Sequence, residues 1–137
     1  MKAIGFQVNL DQPYEQAIQS VTQALKTEGF GVLTHIDIKS TLRAKLDKDF
    51  RPYAILGACN PLLAHKALSN MPEIGMLLPC NVTVESAEGG SSIVRILDPK
   101  IMVSVGNMAD NPILVEVANE AHQKLTQVVE HLKKQTP

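Results

Sequence analysis

Residues 53–84 read YAILGACNPLLAHKALSNMPEIGMLLPCNVTV, and the punctuation of this stretch decides the fold. The apolar run Tyr53–Ala58, which contains Gly57, is long enough for one buried strand and too short for a helix. Asn60-Pro61 then reads as a helix start. An Asn side chain can accept a bond from a free N–H of the first turn, and Pro suits a first position whose N–H is unbonded anyway. At about 100° per residue, a helix from Pro61 to Asn70 groups Leu63, Ala64, Ala67, Leu68 and Met71, with His65, Lys66 and Ser69 opposite. Leu62 falls on the polar side, which makes it a candidate subunit contact. Pro72 ends the helix. Pro79 resets the chain before Cys80-Asn81-Val82-Thr83-Val84, which alternates like a half-buried strand.

Both cysteines of the chain lie in this stretch, each followed by an asparagine. Cys59 stands where a strand meets a helix N-terminus, a position with free N–H donors and the positive end of the helix dipole, which favours a thiolate or an anion. Cys80 opens the next strand. Their spacing is not C-x-x-C, so neither thioredoxin-like nor zinc-ribbon chemistry is signalled.

Working outward, Ile4, Phe6, Val8 and Leu10 alternate with polar or small residues as a strand does, and Gly5 there would admit a close neighbouring backbone. Asp11 and Pro13 open a helix with the stripe Tyr14, Ala17, Ile18, Val21 and Leu25, stopped at Gly29. Gly31–Ile38 is a second strand whose even positions, Val32, Thr34, Ile36 and Ile38, form the more apolar set. Ser40 is placed to cap a short helix, Thr41–Leu46, and 47–52 forms a charged loop, solvated at Lys48, Asp49 and Arg51. Beyond the central stretch, Val82–Ala87 and Ser92–Leu97 flank Glu88-Gly89-Gly90-Ser91, where Gly-Gly supplies the positive φ of a tight hairpin. Asp98-Pro99 turns into an expected sixth strand, Ile101–Val105. Asn111-Pro112 repeats the Asn-Pro start and opens the longest helix, which runs to about Lys134 with Leu114, Val117, Ala118, Ala121, Leu125, Val128, Val129 and Leu132 on one face. The expectation is one α+β domain over 1–137, with a largely antiparallel sheet and helices packed on one face.

The chain has 137 residues, 45% hydrophobic and 20% charged, so it can bury a core without disulfides or metal. A formal charge of −1 and the lack of a basic stripe exclude an electrostatic footprint for nucleic acid. No apolar run reaches membrane-spanning length, and two cysteines in a chain that needs no stapling point to a reducing compartment. The expected location is the cytoplasm.

Gly57-Ala58-Cys59-Asn60-Pro61, Ala64, Ala67-Leu68 and Gly75-Met76-Leu77-Leu78-Pro79-Cys80-Asn81-Val82 closely resemble the signature of the domain-of-unknown-function 302 family, small proteins mostly of bacteria and archaea. Lys45-Leu46 and Asp98-Pro99 are weaker echoes. The resemblance implies an α+β fold like the repeat of the TATA-binding protein, often as a homodimer. It implies no established activity.

For function, the first expectation is a binding module that holds a small molecule or anion between the Asn60 helix start and the Cys80-Asn81 strand. Its candidate ligand-binding residues are Cys59, Asn60, His65, Cys80 and Asn81. The rival is a thiol centre, catalytic, redox or metal-binding, built on Cys59 and Cys80. His65 would be a third metal ligand, and His35 or Glu73 are the available fourths. The third reading is a structural homodimer with two inert thiols. His122 and His131 are read as surface residues of the last helix, and Asp and Glu occur singly. No P-loop, dinucleotide fingerprint or Ser-His-Asp order occurs, and neither a cofactor nor catalysis is decided by the residues.

Overall fold

In a computed structural model, which describes residues 3–135, these signals become nine regular elements. They are β1 (Gly5–Leu10), α1 (Tyr14–Thr27), β2 (Gly31–Asp37), α2 (Ile38–Leu46), β3 (Tyr53–Cys59), α3 (Pro61–Asn70), β4 (Cys80–Ala87), β5 (Ser91–Leu97) and α4 (Pro112–Lys133). Met1 and Lys2, which begin the alternating N-terminal stretch, lie outside the described residues. The strands form one antiparallel sheet in the order β1-β5-β4-β3-β2.

Alternation explains which side of that sheet is dry. Val8, Leu10, Ala54, Leu56, Ala58, Val82, Val84, Val94 and Ile96 point to one face. There they pack under Ala17, Val21, Ala24 and Leu25 of α1 and Leu125, Val128, Val129 and Leu132 of α4. A second, smaller cluster joins α3 to the first half of α4 through Leu63, Ala67, Ile74, Met102, Leu114, Val117 and Ala121. α4 thus spans both clusters. The opposite face of the sheet carries Gln7, Arg95, Thr83, Ile55 and Ile36 along one rung.

Local chemistry sets the boundaries. Gly89 and Gly90 both take positive φ, 72° and 73°, which lets the β4–β5 connection turn tightly. At Gly5 a Cβ would meet the Ile96 carbonyl oxygen head-on, so the close strand approach read from the sequence is real. Asn111 Oδ1 accepts from the N–H groups of Ile113 and Leu114 and starts α4.

Four expectations are corrected. The segment expected as a sixth strand is instead a 3₁₀ stretch, Pro99–Ser104, started by Asp98 Oδ1 accepting from Lys100 N–H at 2.9 Å. β5 is already paired on both sides, so no strand edge beside it was free to receive another. The cap of α2 is Asp37 rather than Ser40, because the Asp37 carboxylate accepts from the Ser40 N–H and the helix begins three residues early. On β2 a bulge at Leu33 splits the even-numbered stripe. Val32 lies opposite Ala58 on the covered face, whereas Thr34 and Ile36 lie opposite Gly57 and Ile55 on the other. Lastly, Arg51 does more than decorate a solvated loop, since it pairs with the buried Glu85 at 3.0 Å.

Candidate functional site

The Asn-Pro start of α3 builds one wall of an interior cavity. Asn60 Oδ1 accepts from Leu63 N–H at 3.2 Å, and its Nδ2 donates to the carbonyl of Glu28 at 3.4 Å, just past the end of α1. The buried amide therefore caps one helix and ties it to another. Asn60→Ala should cost about 1–2 kcal/mol of unfolding free energy. Asn70→Ala, at an exposed helix end, should cost under about 0.5 kcal/mol, and urea melts compare the two. Equal costs would remove the buried amide's special role.

Above Asn60, between α3, α4 and the ends of β3 and β4, lies a cavity of about 40 Å³. Phe30, Leu63, Leu78, Pro79, Met102 and Val117 contribute its larger walls, and Ala58, Ala64, Ala67, Ala118 and Ala121 leave the space open. Cys59, Asn60 and Cys80 also line it. Three of the five expected ligand-binding residues are therefore brought together. Asn81, next in a strand, points the other way and lines a different cavity, and His65 is exposed on α3 and lines neither.

Both thiols are free. Burial, and then the nearby Cys59, push the Cys80 thiol from an ordinary 9.0 up to about 11. A nucleophile needs the opposite shift, so Cys80 is held as a neutral thiol. Among the described residues no group of three or more His, Cys, Asp or Glu side chains is placed to hold a metal ion. His65 accordingly does not join the two cysteines, and neither His35 nor Glu73 completes such a set.

Two charged constellations escaped the sequence reading. On the open face of the sheet, Glu85 has a side chain only 6% exposed and accepts from both Arg51 and Arg95. Burial works to raise its carboxyl, but the bonds from Arg95 and Arg51 outweigh this and hold it below the usual value. The three residues are scattered in sequence and meet through the β4–β5 register and the loop before β3. The second is His122, whose Nδ1 lies 2.8 Å from Asp98 Oδ1 while its ring packs 5.4 Å from that of Phe6. His122 is thus half-buried and fixed rather than a surface residue. The signal within reach was Asp98-Pro99, a helix-start dipeptide of the same grammar as Asn60-Pro61.

No helix among the described residues is long and apolar enough to cross a membrane. Comparison with known proteins places the chain in context. Residues 6–132 match the family model described as "Domain of unknown function DUF302". No curated protein matches the chain. Among solved structures, an uncharacterized conserved DUF302 protein from Bacillus stearothermophilus superposes with a TM-score of 0.82 at 28% identity, over 96% of this chain and 99% of that one.

Proposed function

Since the chain belongs to the DUF302 family, whose description assigns no activity, we propose from its geometry that it binds a small apolar molecule, or the apolar end of a larger one, in the cavity beside Cys59 and Cys80. The observation that carries this is the ring of alanines. Five small side chains from β3, α3 and α4 face one space that a single leucine could fill. Leaving about 40 Å³ empty costs about 1 kcal/mol of packing. An apolar cavity of this kind stays dry and accepts apolar guests. The Asn60 amide is already spent on Leu63 and Glu28, which favours an apolar occupant over an anion. The two thiols serve as polarizable wall. An antiparallel sheet covered on one face supports the TATA-binding-protein-like fold that the sequence resemblance implies, and Leu62, 75% exposed on α3, remains our candidate contact for a homodimer.

Xenon, a guest small enough for this space, supplies the test, followed through the methyl resonances of Leu63, Met102 and Val117. Saturable shifts confined to these residues, and abolished in Ala118→Leu, are expected. A guest that perturbs no methyl group there, or that perturbs it equally in the filled variant, would refute the proposal.

A further inference from the structure

The opposite face of the sheet holds a second and larger cavity, of about 410 Å³, at the size where small-molecule sites begin. Ile4 and Leu97 give it an apolar end, and Gln7, Tyr53, Asn81, Thr83 and Arg95 give it a polar one. Strand register explains the convergence, because Arg95 stands directly opposite Gln7 on one side and Thr83 on the other.

The donors of this wall are incompletely used. Arg95 donates from Nε to Gln7 Oε1 at 3.2 Å and from Nη1 to Glu85 Oε1 at 3.0 Å, and its Nη2 has no partner among the described residues. Neither the Asn81 amide nor the Tyr53 hydroxyl makes a side-chain bond among the described residues, and the Thr83 hydroxyl is buried without one. An unmade bond at a buried hydroxyl is costly, and a native fold rarely keeps one without a reason.

Charge points the same way. Glu85 is the one carboxylate that the strands place on this face, and both its oxygens are occupied by arginines. Two guanidiniums against one carboxylate leave a single positive charge beside a concave wall that carries further neutral donors. A planar guanidinium fork matches a carboxylate in geometry and bonds it more strongly than a neutral acceptor. We propose that this cavity is a binding site for a small organic monocarboxylate, its head on Arg95 and Asn81 and its apolar body against Leu97 and Ile4. The site is separate from the alanine-lined cavity and stands or falls without it.

The probes are benzoate and hexanoate, with benzamide and hexanamide as neutral counterparts, titrated to millimolar concentration against backbone amide resonances. One of the two carboxylates should give saturable shifts centred on Tyr53, Thr83 and Arg95. Its amide should bind at least about tenfold more weakly. Arg95→Met should lose about tenfold in affinity. Because that change also strips a partner from Glu85, Asn81→Ala tests the same wall at an exposed residue and should weaken binding about threefold. Absence of saturable shifts with both acids would overturn the proposal. So would an amide that binds as well as its acid, or unchanged affinity in the variants.

Discussion

Leu125→Ala should lower the unfolding free energy by about 4 kcal/mol, a large share of the roughly 5–15 kcal/mol typical of such a protein. Leu125 is fully buried where the second half of α4 lies across the sheet. It shares its cluster with strand residues such as Val8, Val94 and Ile96, whose backbones are held by ladder bonds on both sides or by the β1–β5 pairing. Such walls cannot close over the space that three lost heavy-atom positions would leave between helix and sheet, so the cavity penalty adds to the lost transfer energy. Leu114, in the first half of the same helix, is the internal comparison. It belongs to the smaller cluster, whose other members come from α4 itself, from α3 and from 3₁₀ segments, none of them held by strand ladders. Leu114→Ala should therefore cost only about 2 kcal/mol. Urea unfolding with a common m-value measures both. If Leu114→Ala proved the costlier change, the cavity region would be the better-packed half, and the picture of a firm sheet supporting a looser pocket would fail.

That division of labour within α4 is partly visible in the chain itself. Its apolar stripe runs unbroken from Leu114 to Leu132, so the helix and its buried face were legible, as were the two Asn-Pro starts and the Gly89-Gly90 turn. Periodicity says which residues are buried, but not what lies opposite them. The Ile101–Val105 alternation satisfied a strand pattern locally, yet β5's pairing on both sides and the Asp98 cap decided for a 3₁₀ stretch. The bulge at Leu33 has no comparable sequence mark and transferred Ile36 to the open face. The pocket beside Cys59 and Cys80 was legible because both cysteines sit at boundaries of adjacent, sequence-near elements. The cluster of Glu85 with Arg51 and Arg95 was not, because it depends on the register of β4 against β5 and on a loop 34 residues away. Likewise His122 finds Asp98 across 24 residues. Residue type and spacing carry local structure, whereas a site assembled by register becomes visible only once the sheet is built.

Raising the pH should destabilise this protein through Cys80, and the sign follows from where the proton is held. In the folded state burial, and then Cys59, keep the Cys80 thiol protonated up to about 11, against an ordinary 9.0. Between those values the unfolded chain releases the proton while the folded chain retains it. The native state then binds more protons, and unfolding free energy falls as pH rises. The full stability is present below 9 and is lost progressively towards 11, a span worth about 2–3 kcal/mol. Tyr14, raised by burial and by the charges of Asp37 and Glu15, adds a loss of the same sign. Cys80→Ala retains the Tyr14 contribution and removes that of the thiol. Urea midpoints of wild type and variant should therefore converge as the pH climbs through this window. A second reading of the same thiol comes from alkylation. At neutral pH about one Cys80 in ten thousand is a thiolate, so labelling of the native protein should stop at the half-buried Cys59, and Cys80 should react only as the chain unfolds. Two thiols labelled at similar rates in the native state, with pH curves that stay parallel, would show Cys80 to be an accessible and ionisable group. The wall beside it would then be a reactive centre, and the apolar pocket would have to be given up along with the alkaline transition.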